Sequence, residues 1–571
     1  MSYLGLKIGL LSLFLSLLAG CEQRVPVVAS EEQQSSFAVS SATTASEDAP
    51  PGDIDPLLDN LGDHHHPVTT SSSLAQRYFD QGLTLAFAFN HAEAIRSFKD
   101  AATIDPDCAM CYWGVALALG PNINAPMEAA AVPQAYEAVQ KALALAPKAN
   151  KAEQAYIQAL AIRHGPTSGA DREGLDRAYA DAMRELSRRY PDDLDGAVIF
   201  AEALMNLTPW EYWTPAGEPT AHTQEIIATL ESVLERDPNH IGANHYYIHA
   251  VEASPAPERA LPSAKRLGQL APGAGHLVHM PAHIYWRVGD YHAAVTTNEH
   301  AIHTDEEYLP DPDAEGLYRL GYYPHNIHFL FAAAQMEGNS QLALEAARKL
   351  VASIPEESYS TLPQLEEFRP MPLYALVRFG KWDEILREPK PGAFFRYTRG
   401  IWHWARGMAL TRLGQLDSAA QEYEQLTKIG QSQAMAQLVF WSASSGSTLL
   451  EIAAHILAGE LAGARGQTEA MIAPLREAVG IQDNLRYIEP PAWYYPVRHN
   501  LGAALLKADR AVEAEAVYRK DLKQYPQNGW SLFGLAQSLR EQGQTEAAAT
   551  VEKRFEEAWQ HADVDLRASR F

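Results

Sequence analysis

Cysteine is nearly absent, with three in 571 residues, far too few for a disulfide scaffold. Basic residues are outnumbered 46 to 71, leaving a net charge of -25. No stretch gathers Lys and Arg into the stripe that a phosphate backbone requires, which argues against nucleic acid as a partner. Phosphate loops of the GxxxxGK form, GxSxG nucleophile elbows and HExxH helices are all missing. No strand-like alternation of any length occurs, and beyond the first twenty residues no stretch is apolar enough to span a bilayer. What is left, at 47% hydrophobic, is an ordinary globular composition.

The chain opens MSYLGLKIGLLSLFLSLLAGC, one Lys followed by an apolar run and small residues before Cys21, the form of an export signal over residues 1–20. Leu18-Ala19-Gly20-Cys21 resembles the lipobox of bacterial lipoproteins. The resemblance implies cleavage before Cys21 and its lipidation, and Glu22 in the next position implies outer-membrane retention, in the cell envelope and facing the periplasm. A lipid anchor would hold the chain at the membrane without a spanning helix. Residues 21–72, rich in Ser, Thr and acids, read as a disordered linker. They include His64, His65 and His66, either solvated or a metal-gathering tract.

From residue 73 paired helices repeat. Gly82, Ala94, Phe98, Ala101 and Pro106 follow a spacing of small, small, aromatic, small and proline, and the frame returns at Gly407, Ala419 and Tyr423 and at Gly502, Ala514, Tyr518 and Pro526. This pattern resembles the tetratricopeptide repeat family. It implies an all-α fold, a right-handed superhelical solenoid of helix-turn-helix units. Two arrays are expected, over residues 73–352 and 395–571, separated by a proline-rich junction at 353–394. CAMCYWG, HLVHMPAHIYWRVGDY and HNIHFL further resemble segments of exported bacterial repeat proteins left without an assigned activity. Solenoids of this kind imply a protein or peptide partner, here for the second array. The sequence does not specify an oligomeric state.

Ten of the 21 histidines fall between His245 and His328, where even scatter would put about three. In the repeat family the first helix of each pair lines the concave wall. Its inner residues lie six and three before, and one and four after, the small residue of that helix. Applied here, the rule selects His276, His279 and His283; His245, His249 and Glu252; His325 and His328; and Cys108 with Cys111. Imidazoles two or three per rigid helix suit a transition metal such as Cu, Zn or Fe, with a carboxylate to complete or polarise the site. Cys108 and Cys111 open a helix and read as a disulfide, metal ligands or free thiols. Tyr112 stands where haem attachment would need His. Three functions stay open: a metal-binding solenoid, a pure protein- or peptide-binding scaffold, and a metal-dependent oxidoreductase or hydrolase.

Overall fold

The computed structural model describes residues 54–167, 171–309 and 317–571. Cys21 and the signal segment lie outside the described residues. Among the described residues strand pairing is limited to three isolated bridges, and no helix is long and apolar enough to cross a membrane. The fold is an all-α solenoid of helix hairpins.

The repeat frame works by steric contact. Phe98, on the helix His91–Ile104, lies between Gly82 of Ser73–Phe87 and Gly114 of Ala109–Ala118; a Cβ on either glycine would come within 2.7 or 2.4 Å of its ring. Tyr518 sits in the same way between Gly502 and Gly534, at 2.3 and 2.2 Å. One aromatic ring thus fills the space three helices leave, and only glycine lets them approach this closely. Hairpins begin at side-chain caps that satisfy the first free N–H groups. Asn90, Asp193, Asp290, Asn339 and Asn528 each accept a backbone N–H three residues on.

Two expectations about organisation need correction. The linker expected over residues 21–72 is ordered and packed from Ile54, itself buried together with Leu61. Its backbone is held by array side chains: Leu58 N–H donates to Gln81 at 2.7 Å, His66 N–H to Asp80 at 3.1 Å and Thr69 N–H to Glu153 at 2.6 Å. Polar composition misled here because the strap is fixed by hydrogen bonds more than by apolar burial. The apolar core also does not divide at the 353–394 junction. One cluster runs from Ile54 to Tyr322 and the other from Ala282 to Val551, so they meet in the histidine helices. The second array folds back on that region. Trp530 Nε1–H donates to the Gln335 carbonyl at 3.0 Å, Asp563 accepts from the Ser340 and Gln341 N–H groups at 2.7 and 3.0 Å, and Arg486 donates to the Pro209 carbonyl at 2.9 Å.

Candidate metal centre

Three consecutive hairpins supply the centre. His245 and His249 lie one turn apart on Ile241–Val251, a helix buried at every position. His276 and His279 lie on the short helix Gly275–His279; Pro281, at the start of Pro281–Val288, restarts the helix without turning His283 off the common face. His325 comes from Tyr323–Glu337.

The rings fall into two sets of three. In the first, His245, His249 and His276 have ligand nitrogens all within 4.8 Å of one another; in the second, His279, His283 and His325 do the same. The sets adjoin, with ring centroids 5.9 Å apart for His276 and His279 and 5.8 Å for His249 and His283. Each has a phenyl floor. Phe89 lies 4.6, 5.9 and 5.8 Å from the rings of the first set, and Phe329 lies 5.1, 4.8 and 5.8 Å from those of the second. Over the first set Trp210 stands 5.1 Å from His249 and Tyr322 4.6 Å from His276, tied together by hydrogen bonds of 3.1 Å each through Asn124.

Four rings have one nitrogen committed. His245 Nδ1–H donates to the Phe87 carbonyl at 2.6 Å, His249 Nδ1–H to Glu252 Oε1 at 2.9 Å, and His283 Nδ1–H to Glu252 Oε2 at 2.5 Å. His279 Nδ1–H donates to Asn298 Oδ1 at 2.7 Å, and Asn298 cannot offer its NH₂ instead because that group is bound to the Ala294 carbonyl at 2.7 Å. In the neutral ring each Nε2 therefore carries its lone pair into the interior, as at His245 and His249. His245 Nε2, His249 Nε2 and both nitrogens of His276 are buried without a hydrogen-bond partner. His279 Nε2 and His283 Nε2 face each other at 3.0 Å. Two lone pairs do not tolerate that approach; a shared proton or a cation between them does.

Electrostatics separates the sets. Burial, reinforced by neighbouring imidazoles, holds His245, His276, His279 and His325 well below the ordinary histidine value. His283 goes the other way: burial opposes its charge, but Glu252 and Glu489 outweigh it and push the ring up to about 10. Glu252, buried yet held by His283 and His249, falls to about 2. The second set can thus be satisfied by a proton, whereas the first is a group of neutral donors with nothing to donate to.

The sequence-selected residues divide accordingly. His245, His249, Glu252, His276, His279, His283 and His325 come together. His328 does not: its ring lies 5.3 Å from Phe368, burial pushes it down to about 3, and it is a core residue. Cys108 and Cys111 form a disulfide at the N-terminus of Ala109–Ala118, which removes them as metal ligands. Glu489 was not anticipated. It reaches His283 from the second array, Oε2 to Nδ1 3.4 Å, on a loop with no local motif. Asn298 was also missed, since it sits on a second helix of a hairpin and so outside the inner-wall rule.

His64 and His66 belong to another cluster. Asp195 receives His64 Nε2 at 3.0 Å and His66 Nδ1 at 2.8 Å, with His240 Nε2 at 3.3 Å. His240 Nδ1 caps its helix by accepting the Ala243 N–H at 3.3 Å, so a neutral His240 carries its proton on Nε2, directed at Asp195. His64 and His66 satisfy the Asp195 carboxylate, while His240 Nε2, 3.3 Å from it, makes no hydrogen bond.

No protein-family model matches the chain, and no curated protein matches it. Among solved structures it is similar to the APC/C hetero-tetramer Cut9–Hcn1, at 12% identity over 86% of this chain and 74% of that chain with a TM-score of 0.29. It is also similar to a human IFIT1 dimer with m7Gppp-AAAA, at 12% identity, 86% and 90% coverage and a TM-score of 0.28. A third, the TPR domain of P58(IPK), shows 13% identity, 83% and 99% coverage and a TM-score of 0.21. Likeness at this level transfers no ligand or partner to the present chain.

Proposed function

We propose that this chain is a transition-metal-binding helical-repeat protein whose first ligand set is His245, His249 and His276, with His279, His283 and His325 as a second. The observation that carries the reading is the set of buried, partnerless nitrogens on the first three rings. A buried lone pair left unmatched costs about 1–3 kcal/mol, and a metal ion removes that cost for three rings at once. Neutral imidazoles without thiolate suit Cu, Zn or Fe. Glu252, bound to His249 and His283 together, orients one ring of each set and offsets positive charge. Elemental analysis of untagged protein tests this: one to two equivalents of one metal are expected, and under a tenth of an equivalent with no uptake on titration ends the proposal.

The chain is further proposed to be a lipoprotein anchored through Cys21 in the cell envelope; a Cys21→Ser variant released from the membrane fraction would support this, and unchanged membrane retention would sink it. A pure interaction scaffold is the second reading, favoured by the exposed apolar side chains Val439 and Trp441 on the second array and Phe394 at the end of the junction. A specific partner whose recovery survives replacement of all six histidines, in protein that carries no metal, would select it.

A further inference from the structure

The inner wall of the second array, expected to be a partner groove, holds a segment of the chain itself. After the helix Thr545–Ala558, residues 563–568 alternate between exposed and partly covered positions although they belong to no strand, and the chain then bends to bury Ser569. The segment lies along a surface and turns its last residues into it. Ser569, fully buried, donates to the His499 carbonyl at 2.7 Å and pairs with the Tyr518 hydroxyl at 2.7 Å. Arg570 forms an ion pair with Glu460 at 2.8 Å. Phe571 packs against Gly380, where a Cβ would come within 2.9 Å, and edge-on to Trp530 at 5.8 Å; its carbonyl accepts from Arg412 at 2.6 Å.

The receptor is built in advance. Tyr518 is locked between Gly502 and Gly534 by the repeat frame, and Glu460 is 4% exposed and also held by Arg412 at 3.2 Å and Asn500 at 3.1 Å. Arg378, also 4% exposed, stacks 3.6 Å over Trp530 and leaves Nε and Nη2 without partners. The seated segment has few main-chain bonds of its own, the Asp563 N–H to the Gly338 carbonyl at 3.2 Å being one of them. Side chains therefore carry most of the recognition.

We infer that the second array is a receptor for an extended segment carrying a hydroxyl, a basic and an aromatic residue in succession, and that Ser569-Arg570-Phe571 occupies it in cis as an exchangeable plug. A partner of that chemistry would displace the plug. The inference rests on the second array being a partner surface and is independent of the metal centre.

The test uses the full chain and a fluorescent peptide with the sequence of residues 564–571. The unaltered chain should bind it weakly. An Arg570→Glu, Phe571→Ala variant, its own plug loosened, should bind at least tenfold tighter, and adding Glu460→Gln should reverse that gain at least tenfold. No gain in the first variant, or no dependence on Glu460, overturns the inference. Hydrogen exchange on the unaltered chain is a second readout that needs no variant. Amides of 564–571 should exchange through local opening, faster than those of Arg498–Lys507; exchange only on global unfolding would also overturn it. Metal content measured on the same samples should not change, so failure here leaves the metal reading standing.

Discussion

Two groups of histidines lie on either side of Phe87, whose carbonyl binds His245 and whose ring stands 5.5 Å from His64, and they differ in a way that ring counts conceal. Around Asp195, His64 and His66 each bond the one carboxylate, which supplies the acceptor, and His240 Nε2 stands 3.3 Å from it without a hydrogen bond. Around Phe89, His245, His249 and His276 bring three rings together with no acceptor among them. Clustered imidazoles are thus no sign of a metal in themselves. The sign is a set whose free nitrogens converge with no acceptor among them, while the outer nitrogens of two of the rings, His245 and His249, are tied down.

The largest expected effect separates the two groups outright. His249→Ala or His276→Ala should cut metal affinity by more than about 100-fold, beyond the 10–100-fold typical of losing a mere supporting residue. His66→Ala should leave affinity within about twofold, as in a reference titration with a metal-sensitive dye. If His66→Ala abolishes uptake and His249→Ala does not, the assignments are reversed.

Glu252→Gln comes next. It keeps the shape but weakens the grip on His249 and His283, and affinity should fall about 10–100-fold with the helical circular dichroism unchanged. An affinity unaltered by this change would mean that Glu252 does not orient the ligands.

Loss of His66 should instead register in folding. It strips one hydrogen bond from the buried Asp195 and should cost about 1–3 kcal/mol in denaturant melts. A loss below about 0.5 kcal/mol would show the strap to be held elsewhere.

pH should affect the two groups differently. Burial opposes ionisation of Asp195, but His240, His64 and His66 hold it well below its ordinary value of 3.8, so its contribution is present above that value and lost in acid. His64 and His66 are raised despite burial, because Asp195 faces both, so their contribution is complete below 6.5 and fades as pH rises through the raised value. Backbone protection over 58–70 should therefore be greatest between about pH 4 and 6.5. Metal occupancy of the first set should instead stay level from about pH 8 down through that range, because burial holds His245 and His276 well below the ordinary histidine value and leaves protons little hold on them. Loss of metal in step with the strap's protection would break the distinction. The smallest effect is expected at His328, where His328→Phe should leave metal content unchanged and shift stability by under about 1.5 kcal/mol.

Much of this was legible in the residues. Gly82, Phe98, Gly502 and Tyr518 announced the hairpin frame because the contact is steric and local, and a contact of this kind repeats with the chain. Of the seven histidines the inner-wall rule selected, six come together; it included His328 because it ranks positions on a helix without knowing what the next element brings. At His328 that element is Phe368, from the junction. Glu489 and the strap were illegible for the complementary reason: each meets its partner across a turn of the solenoid or from the far array, and no spacing in the chain encodes that meeting. Asn298 meets His279 within one hairpin, from the helix the rule leaves out.

Sequence alone determined that helices pair, which of their faces turn inward, and that imidazoles crowd one wall, because these follow from periods of 3.6 residues and from glycine's missing side chain. Tertiary structure decided which nitrogens find acceptors. Hydrogen bonding depends on distances of about 3 Å between atoms remote in the chain. Only the closure of the second array against the first, and of the strap against Asp195, brought those atoms within reach or left them without a partner.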